Sequence, residues 1–261
     1  MTVLSIEWAD AVAHVILSRP ERMNALNGDL VDALVAAGRE LADRRDCRAV
    51  VLSGAGRAFC SGIDITALSA VSSGGEQTID IATQIAGGAN IAQLAVLQWQ
   101  SLPVPVIAAV HGYALGGGLQ LALGADIRIV APGARLGLVE VKWGMVPDMG
   151  GMVLLPVLVR PDRLAELLFT GRIVEGAEAV RLGLATRVED DPVAAALKLA
   201  TAIASASPDA VRAAKRLLRL GGSRDDILRA EAYEAIALIG QPNQREAMAA
   251  GLEKRPARYV D

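Results

Sequence analysis

The sequence predicts an α/β fold, and three observations carry that prediction. Short apolar runs, RAVVLSG at 48–54, PVIAAVHG at 105–112 and DIRIVA at 126–131, have the length and continuity of strands buried on both faces. Segments with helical spacing or helix-capping residues stand between them. No strand-like run occurs beyond residue 190, where the pattern becomes helical. Strands interleaved with helices give a sheet covered by helices, and the tail gives a helical C-terminal module. The division falls near 195–205, giving a core of 1–198 and a module of 199–261.

In chain order, residues 3–8 and 11–17 alternate apolar and polar about Ala9-Asp10 and predict a β-hairpin. SRPERMNALNGD is a loop with turn formers at both ends. Leu30, Leu34, Val35 and Leu41 recur at helical spacing and predict an amphipathic helix over 29–45. GAGRAFCSGID is an extended loop. Residues 64–78 lack periodicity, and SSGGEQ reads as mobile. A long helix is expected over 80–101, interrupted in propensity by Gly87-Gly88. The glycine turn after 105–112 leads into a helix at 117–124. Further on, 192–206 reads as helix. Ser207-Pro208-Asp209 combines a cap, a proline at the first helical position and an acidic first turn, opening a helix to about 219. Ser223 caps RDDILRAEAYEAIALI.

Composition excludes several function classes. The 261 residues are 52% hydrophobic but only 3% aromatic, so the core is built from Ala, Val, Leu and Ile. A net charge of −3 offers no electrostatic case for nucleic acid or an anionic membrane. Cys47 and Cys60 supply neither a disulfide framework nor a metal set. With no secretory start at the N-terminus, the expected setting is the reducing cytoplasm. The apolar region 102–125 is broken by Pro103, Pro105, His111 and glycines and reads as core, not as a membrane span. Gly54-Ala55-Gly56 lacks the third glycine and the helix of a dinucleotide fingerprint. His14 and His111 lie in strand-like runs, where structural roles are the default.

Three consecutive glycines, Gly116, Gly117 and Gly118, stand at a strand-to-helix turn. A helix start presents unpaired N–H groups, and glycine lets a ligand atom approach without meeting a Cβ. The bland reading is a tight packing turn. A second glycine-containing loop, AFCSGIDI at 58–65, also follows a buried strand. Two such loops can supply the pair of N–H donors that an enolate or tetrahedral oxyanion needs, each worth about 3 kcal/mol of barrier.

Nearly the whole chain then resembles the crotonase superfamily of enoyl-CoA hydratases and isomerases. The matching segments are SRPERMNALN (18–27), AFCSGID (58–64), PVIAAVHGYALGGG (105–118), ADIRIVAPGARLGLVEVKWGMVPDMGG (125–151), FTGR followed by AVRLGLATRV, and the terminal EKRPARY. The resemblance implies a spiral of repeated ββα units with a helical module that packs trimers, often paired into hexamers. It implies an acyl-CoA substrate, with coenzyme A as part of the thioester and no separate cofactor or metal, and a place in fatty acid metabolism. It assigns the oxyanion N–H groups to Ile63 and Gly117. It places coenzyme A along Arg22, Met23 and Ala25, with Gly62, Asp64, Ile65 and Gly116 also against the substrate. Segment 66–78 is implied to border the acyl pocket.

Hydratases of this family use two glutamates. One matches Glu140, and the other position carries Gln120, which cannot accept a proton as a carboxylate does. Gln120 can still orient a water, or simply bond the backbone. Asp148, eight residues after Glu140, resembles the second carboxylate of dienoyl-CoA isomerases, although those carry a further aspartate where this chain has Gln120. Asp148 also reads as a Pro-Asp turn former, and Glu140 as a solvated surface charge. The leading expectation is proton transfer on an enoyl-CoA by Glu140 with Asp148, shifting a double bond. Hydration by Glu140 comes second. A non-catalytic acyl-CoA-binding protein and a thioester hydrolase are the rivals. Cys60 reads as a small buried apolar residue, and Trp143 as pocket wall.

Overall fold

The structure is a computed structural model that describes residues 2–66 and 79–261. The expectations for SSGGEQ, and for all of 66–78 except Thr66, fall on residues outside that description.

The hairpin forms as expected, from β1 (Leu4–Ala9) and β2 (Val12–Leu17), with Ala9 opposite Val12 and Asp10 in the turn at φ 51°. Helix α1 (Gly28–Asp43) buries Leu30, Leu34, Val35 and Leu41 and is capped by the Asn27 side chain. Strand β3 (Ala49–Gly54) and strand β4 (Val106–Val110) are buried along their whole length. With β6 (Ile127–Val130) and the short β9 (Arg187–Val188) they complete a six-stranded sheet of order β1-β2-β3-β4-β6-β9, parallel from β2 onward. The main core lies on one face of this sheet. On the other face, Val51, Ile107, Ala109 and Ile129 pack with Ala196 and Ala200 of α7 (Pro192–Ala204). Two covered faces explain why the strands read as continuous apolar runs.

The helix expected over 80–101 is corrected. Helix α2 spans only Ile91–Ser101. Gly87 and Gly88 take φ 82° and 78°, and Asn90 closes a capping box with Gln93, so the helix begins at 91.

A second, three-stranded sheet has the order β5-β7-β8, from Tyr113–Leu115, Arg135–Gly137 and Ile173–Glu175. Cys60 extends it by a parallel bridge to Ala114. Strands β4 and β6 each pass from the large sheet into the small one through β5 and β7. Between β5 and β6 stands α3 (Gly117–Leu123). This repetition is the expected ββα spiral. Helices α4 (Gly151–Leu158), α5 (Pro161–Thr170) and α6 (Gly176–Leu182) carry the chain to β9.

Beyond it, α8 (Pro208–Arg219), α9 (Arg224–Leu238) and α10 (Pro242–Glu253) form the helical end. The Ser223 cap is present and is completed into a capping box by Asp226. Buried Lys215 on α8 donates to Trp99 O, Val104 O and Asp126 Oδ2, tying that helix to the base of β4. Helix α7 is continuous through residues 198 and 199. Among the described residues, no helix is long and apolar enough to cross a membrane, and no group of three His, Cys, Asp or Glu is placed to hold a metal ion.

Candidate active site

The two glycine-containing loops meet. The 58–64 loop is sewn on one side to β5, through Cys60 N to Tyr113 O (2.9 Å) and Leu115 N to Cys60 O (3.1 Å). On the other side Leu26 N donates to Gly62 O (2.7 Å) and Asp64 N to Leu26 O (2.8 Å). This pattern engages the Gly62 carbonyl and the Asp64 N–H on either side of Ile63 but not the N–H of Ile63 itself. Gly117 is the first residue of α3, so its N–H has no intrahelical partner. Among the described residues, neither Ile63 N nor Gly117 N has an acceptor. The loops touch closely enough that a Cβ on Gly62 would lie 2.6 Å from Leu115 O and 3.7 Å from Gly117 N.

Each glycine of the triplet has its own reason. Gly116 takes φ 51° and ψ −123°, a conformation for glycine, and a Cβ there would approach Glu140 Oε1 to 3.4 Å. A Cβ on Gly117 would press on Met149 and Leu26 in the cavity floor. A Cβ on Gly118 would lie 2.2 Å from Cys60 O, so this glycine lets α3 reach the 58–64 loop.

Ile63 and Gly117 open into one cavity, which Gly62, Ile65, Gly116, Glu140 and Asp148 also line. Apolar walls come from Leu26, Val139, Trp143, Met145 and Met149, and Ile79 and Ile81 close another side. Glu140 begins a 3-10 turn that ends at Trp143. It is 6% exposed, so it is no surface charge, and its Oε1 accepts from Gln120 Nε2 at 2.7 Å. Its Oε2 is buried and, among the described residues, has no hydrogen-bond partner. Burial lifts the Glu140 carboxyl above the usual carboxylate range; its own amide and Gln120 oppose the rise, and Asp148 adds to it. Asp148 stands exposed at the cavity mouth, where the surrounding walls raise its carboxyl as well.

The remaining expected residues lie outside this cavity. Gln120 is fully buried and does not line it; its Oε1 accepts from Met149 N (2.9 Å) and Gly151 N (3.0 Å). These bonds and the one to Glu140 engage its oxygen and one amide hydrogen with protein groups. Asp64 faces the first loop, bonded to Arg19 (3.1 Å) and Thr66. Burial would raise the Asp64 carboxyl, but bonds from Thr66 and Arg19 outweigh it and hold it low. Arg22 and Asp64 line a separate surface groove beside the start of α1. Met23 takes φ 50° in that loop, and Ala25 is buried, its carbonyl bonded by Arg19.

Sequence reasoning missed Asn24. It is fully buried at φ 54°, accepts from Arg19 N, and donates to Ala55 O and Ala58 O. It thereby holds the 19–27 loop against the entry to the 58–64 loop. The local signal was available, since asparagine tolerates this backbone region better than other side chains. The histidines are structural: His14 bonds Ser53 and His111 bonds Gly56 O. Burial pushes the Cys60 thiol up to about 12, so it stays protonated.

Two free N–H groups and a buried carboxylate around one apolar cavity suit chemistry on a polarised carbonyl compound. The family profile described as enoyl-CoA hydratase/isomerase matches residues 7–261, and the chain belongs to that family. It is therefore an enzyme of the crotonase superfamily. It is 34% identical over 259 residues to the Mycobacterium tuberculosis protein named "Probable enoyl-CoA hydratase echA8", covering 98% of this chain and 96% of that one. A short-chain-enoyl-CoA hydratase of Clostridium acetobutylicum is 34% identical over 256 residues, covering 96% and 94%. The crystal structure of an enoyl-CoA hydratase from Bacillus anthracis superposes with a TM-score of 0.85 at 31% identity, covering 98% of both chains.

Proposed function

We propose that the protein moves a proton between two carbons of an enoyl-CoA thioester, shifting its double bond. The Ile63 and Gly117 N–H groups hold the thioester oxygen. Glu140 Oε2 takes a proton from one carbon, the electron pair delocalises onto the oxygen as an enolate, and a proton returns at another carbon. Asp148 is the partner carboxylate at the cavity mouth. The observation that carries this reading is the unpartnered Glu140 Oε2 in the cavity that holds both free N–H groups. A carboxyl raised by burial accepts a proton more readily than an ordinary glutamate and still releases it.

Hydration is the second reading, favoured by the names of the relatives. It requires a water held against the double bond, and Gln120 has its oxygen and one amide hydrogen engaged by protein groups. The oligomer belongs to the same proposal: core 1–198 and module 199–261 assemble as trimers or hexamers. Support comes from large exposed apolar side chains on α4, α5, α9 and α10, including Val157, Phe169, Ile236 and Leu252. The cytoplasm is the proposed setting, and no cofactor besides the coenzyme A of the substrate is called for.

Mass spectrometry of 2-enoyl-, 3-enoyl- and dienoyl-CoA thioesters incubated in deuterated water tests the reaction. Bond migration with deuterium uptake is expected. Addition of a whole water molecule would replace this reading with hydration, and release of free coenzyme A thiol would replace it with hydrolysis.

A further inference from the structure

Gln120 joins two segments that the chain brings together only in the folded state. Its Oε1 accepts from the amides of Met149 and Gly151, and its Nε2 donates to Glu140 Oε1. Two N–H donors on one side require the oxygen there, so the NH2 must face Glu140. The surroundings are tight: a Cβ on Gly151 would lie 2.8 Å from Gln120 Oε1, and Gly150 between the two amides takes φ 89°. The amides belong to the turn that begins α4, and the residue before Met149 is Asp148. The other end of the bridge is the 3-10 turn that carries Glu140.

We propose that Gln120 is a positioning residue for the proton transfer, a single carboxamide that sets the placement of Glu140 and of Asp148 together. One oxygen of Glu140 is anchored, and the other is left as the free base in the cavity. The inference rests on the reaction proposed above for its kinetic consequence, but the anchoring itself does not.

The side chain required at this position is narrow. Glutamate would still accept from both amides, yet it would set acceptor against acceptor at Glu140 Oε1. The two carboxyls would then share a proton and titrate as a pair. Methionine would fill the space and leave both amides buried without a partner. The titratable groups of the described cavity wall are Glu140 and Asp148. Lys142, on the same turn as Glu140, lies instead along Gly171.

The test compares Gln120→Glu and Gln120→Met with the parent protein. The protonated-carboxyl infrared band of Glu140, identified by its loss in Glu140→Gln, is titrated with no substrate present. In parallel kcat and KM are followed against pH with a short-chain 3-enoyl-CoA. In Gln120→Glu the Glu140 titration should rise by more than about one pH unit. The acid limb of kcat should move with it, while KM changes less than kcat. Gln120→Met should raise the titration too, because it removes the donor that favours the charged form, and it serves if the glutamate variant does not fold. An infrared titration that stays at its parental value in both variants would overturn the inference. A titration that moves while the pH limb of kcat stays put would uphold the anchoring and remove Glu140 from the proton path, so the two proposals fail separately.

Discussion

The cavity has two corners built by opposite means. The corner of Ile63 and Gly117 is made of backbone, sewn on both sides by main-chain bonds and closed by glycines that touch main-chain oxygens. The corner of Glu140, Gln120 and Asp148 is made of side chains whose geometry passes through one carboxamide. Backbone donors are placed by the fold itself and cannot be lost without disturbing it. Side-chain groups can be exchanged with the fold intact, so the carboxylate corner is where one spiral can be set to different reactions.

Experiments can break the two corners separately. The largest effect is expected at the side-chain corner. Glu140→Gln should lower kcat by about 100- to 10,000-fold, the usual range for a lost general acid–base group. Steady-state kinetics on whichever thioester of the panel is turned over would measure it, and unchanged turnover would remove Glu140 from the chemistry. Gly118→Ala attacks the backbone corner. With a Cβ driven to 2.2 Å from Cys60 O, either α3 or the 58–64 loop must shift. Overpacking of this kind costs about 1–3 kcal/mol, visible as a lower Tm, and turnover should fall with it. An unaltered Tm would mean that the contact is not tight.

Ionisation sharpens the comparison, because only the carboxylate corner titrates. The acid limb of kcat/KM should lie above the ordinary glutamate value of about 4.3, since burial first and Asp148 second raise Glu140. The sign for stability follows. A carboxyl raised in the folded state binds more protons there than in the unfolded chain. Its favourable contribution is full below the unfolded pKa and is lost as pH rises through the folded one. Glu140→Gln should therefore gain stability over the parent at pH 7, by about 1.4 kcal/mol for each unit of the rise. Denaturant titrations at acid and neutral pH would check this, and an equal difference at both pH values would refute it. The smallest effect is expected at Asp148, which is exposed. Asp148→Asn should cut the bond-shift rate about tenfold and leave Tm unchanged, and an undiminished rate would return Asp148 to the role of turn former.

How legible each part was depends on how local its causes are. The hairpin, α1, the fully buried strands β3 and β4 and the Ser223 cap follow from patterns within a few residues. The strands β5, β7 and β8, only three residues each, carry no period of their own and exist because neighbouring chain pairs with them. The start of α2 lies later than the apolar spacing predicts because Gly87 and Gly88, visible in the sequence only as lowered propensity, take positive φ and Asn90 caps the helix at 91. At the site, the motifs located both loops and both carboxylates. They could not show that Gln120 is buried beside the cavity and bonded to Glu140, Met149 and Gly151, or that Asp64 is tied to Arg19.

By itself the sequence determined the fold class, the buried strands, the family and the glycine turn, because strand burial, caps and glycine conformations are short-range properties of the chain. Only the tertiary structure decided which oxygen of Glu140 is free, what holds the other and where Asp148 stands. Gln120 meets Glu140 across 20 residues and Gly151 across 31. Such hydrogen bonds form only after the spiral has brought distant segments within 3 Å of one another, and nothing in the local chain specifies them.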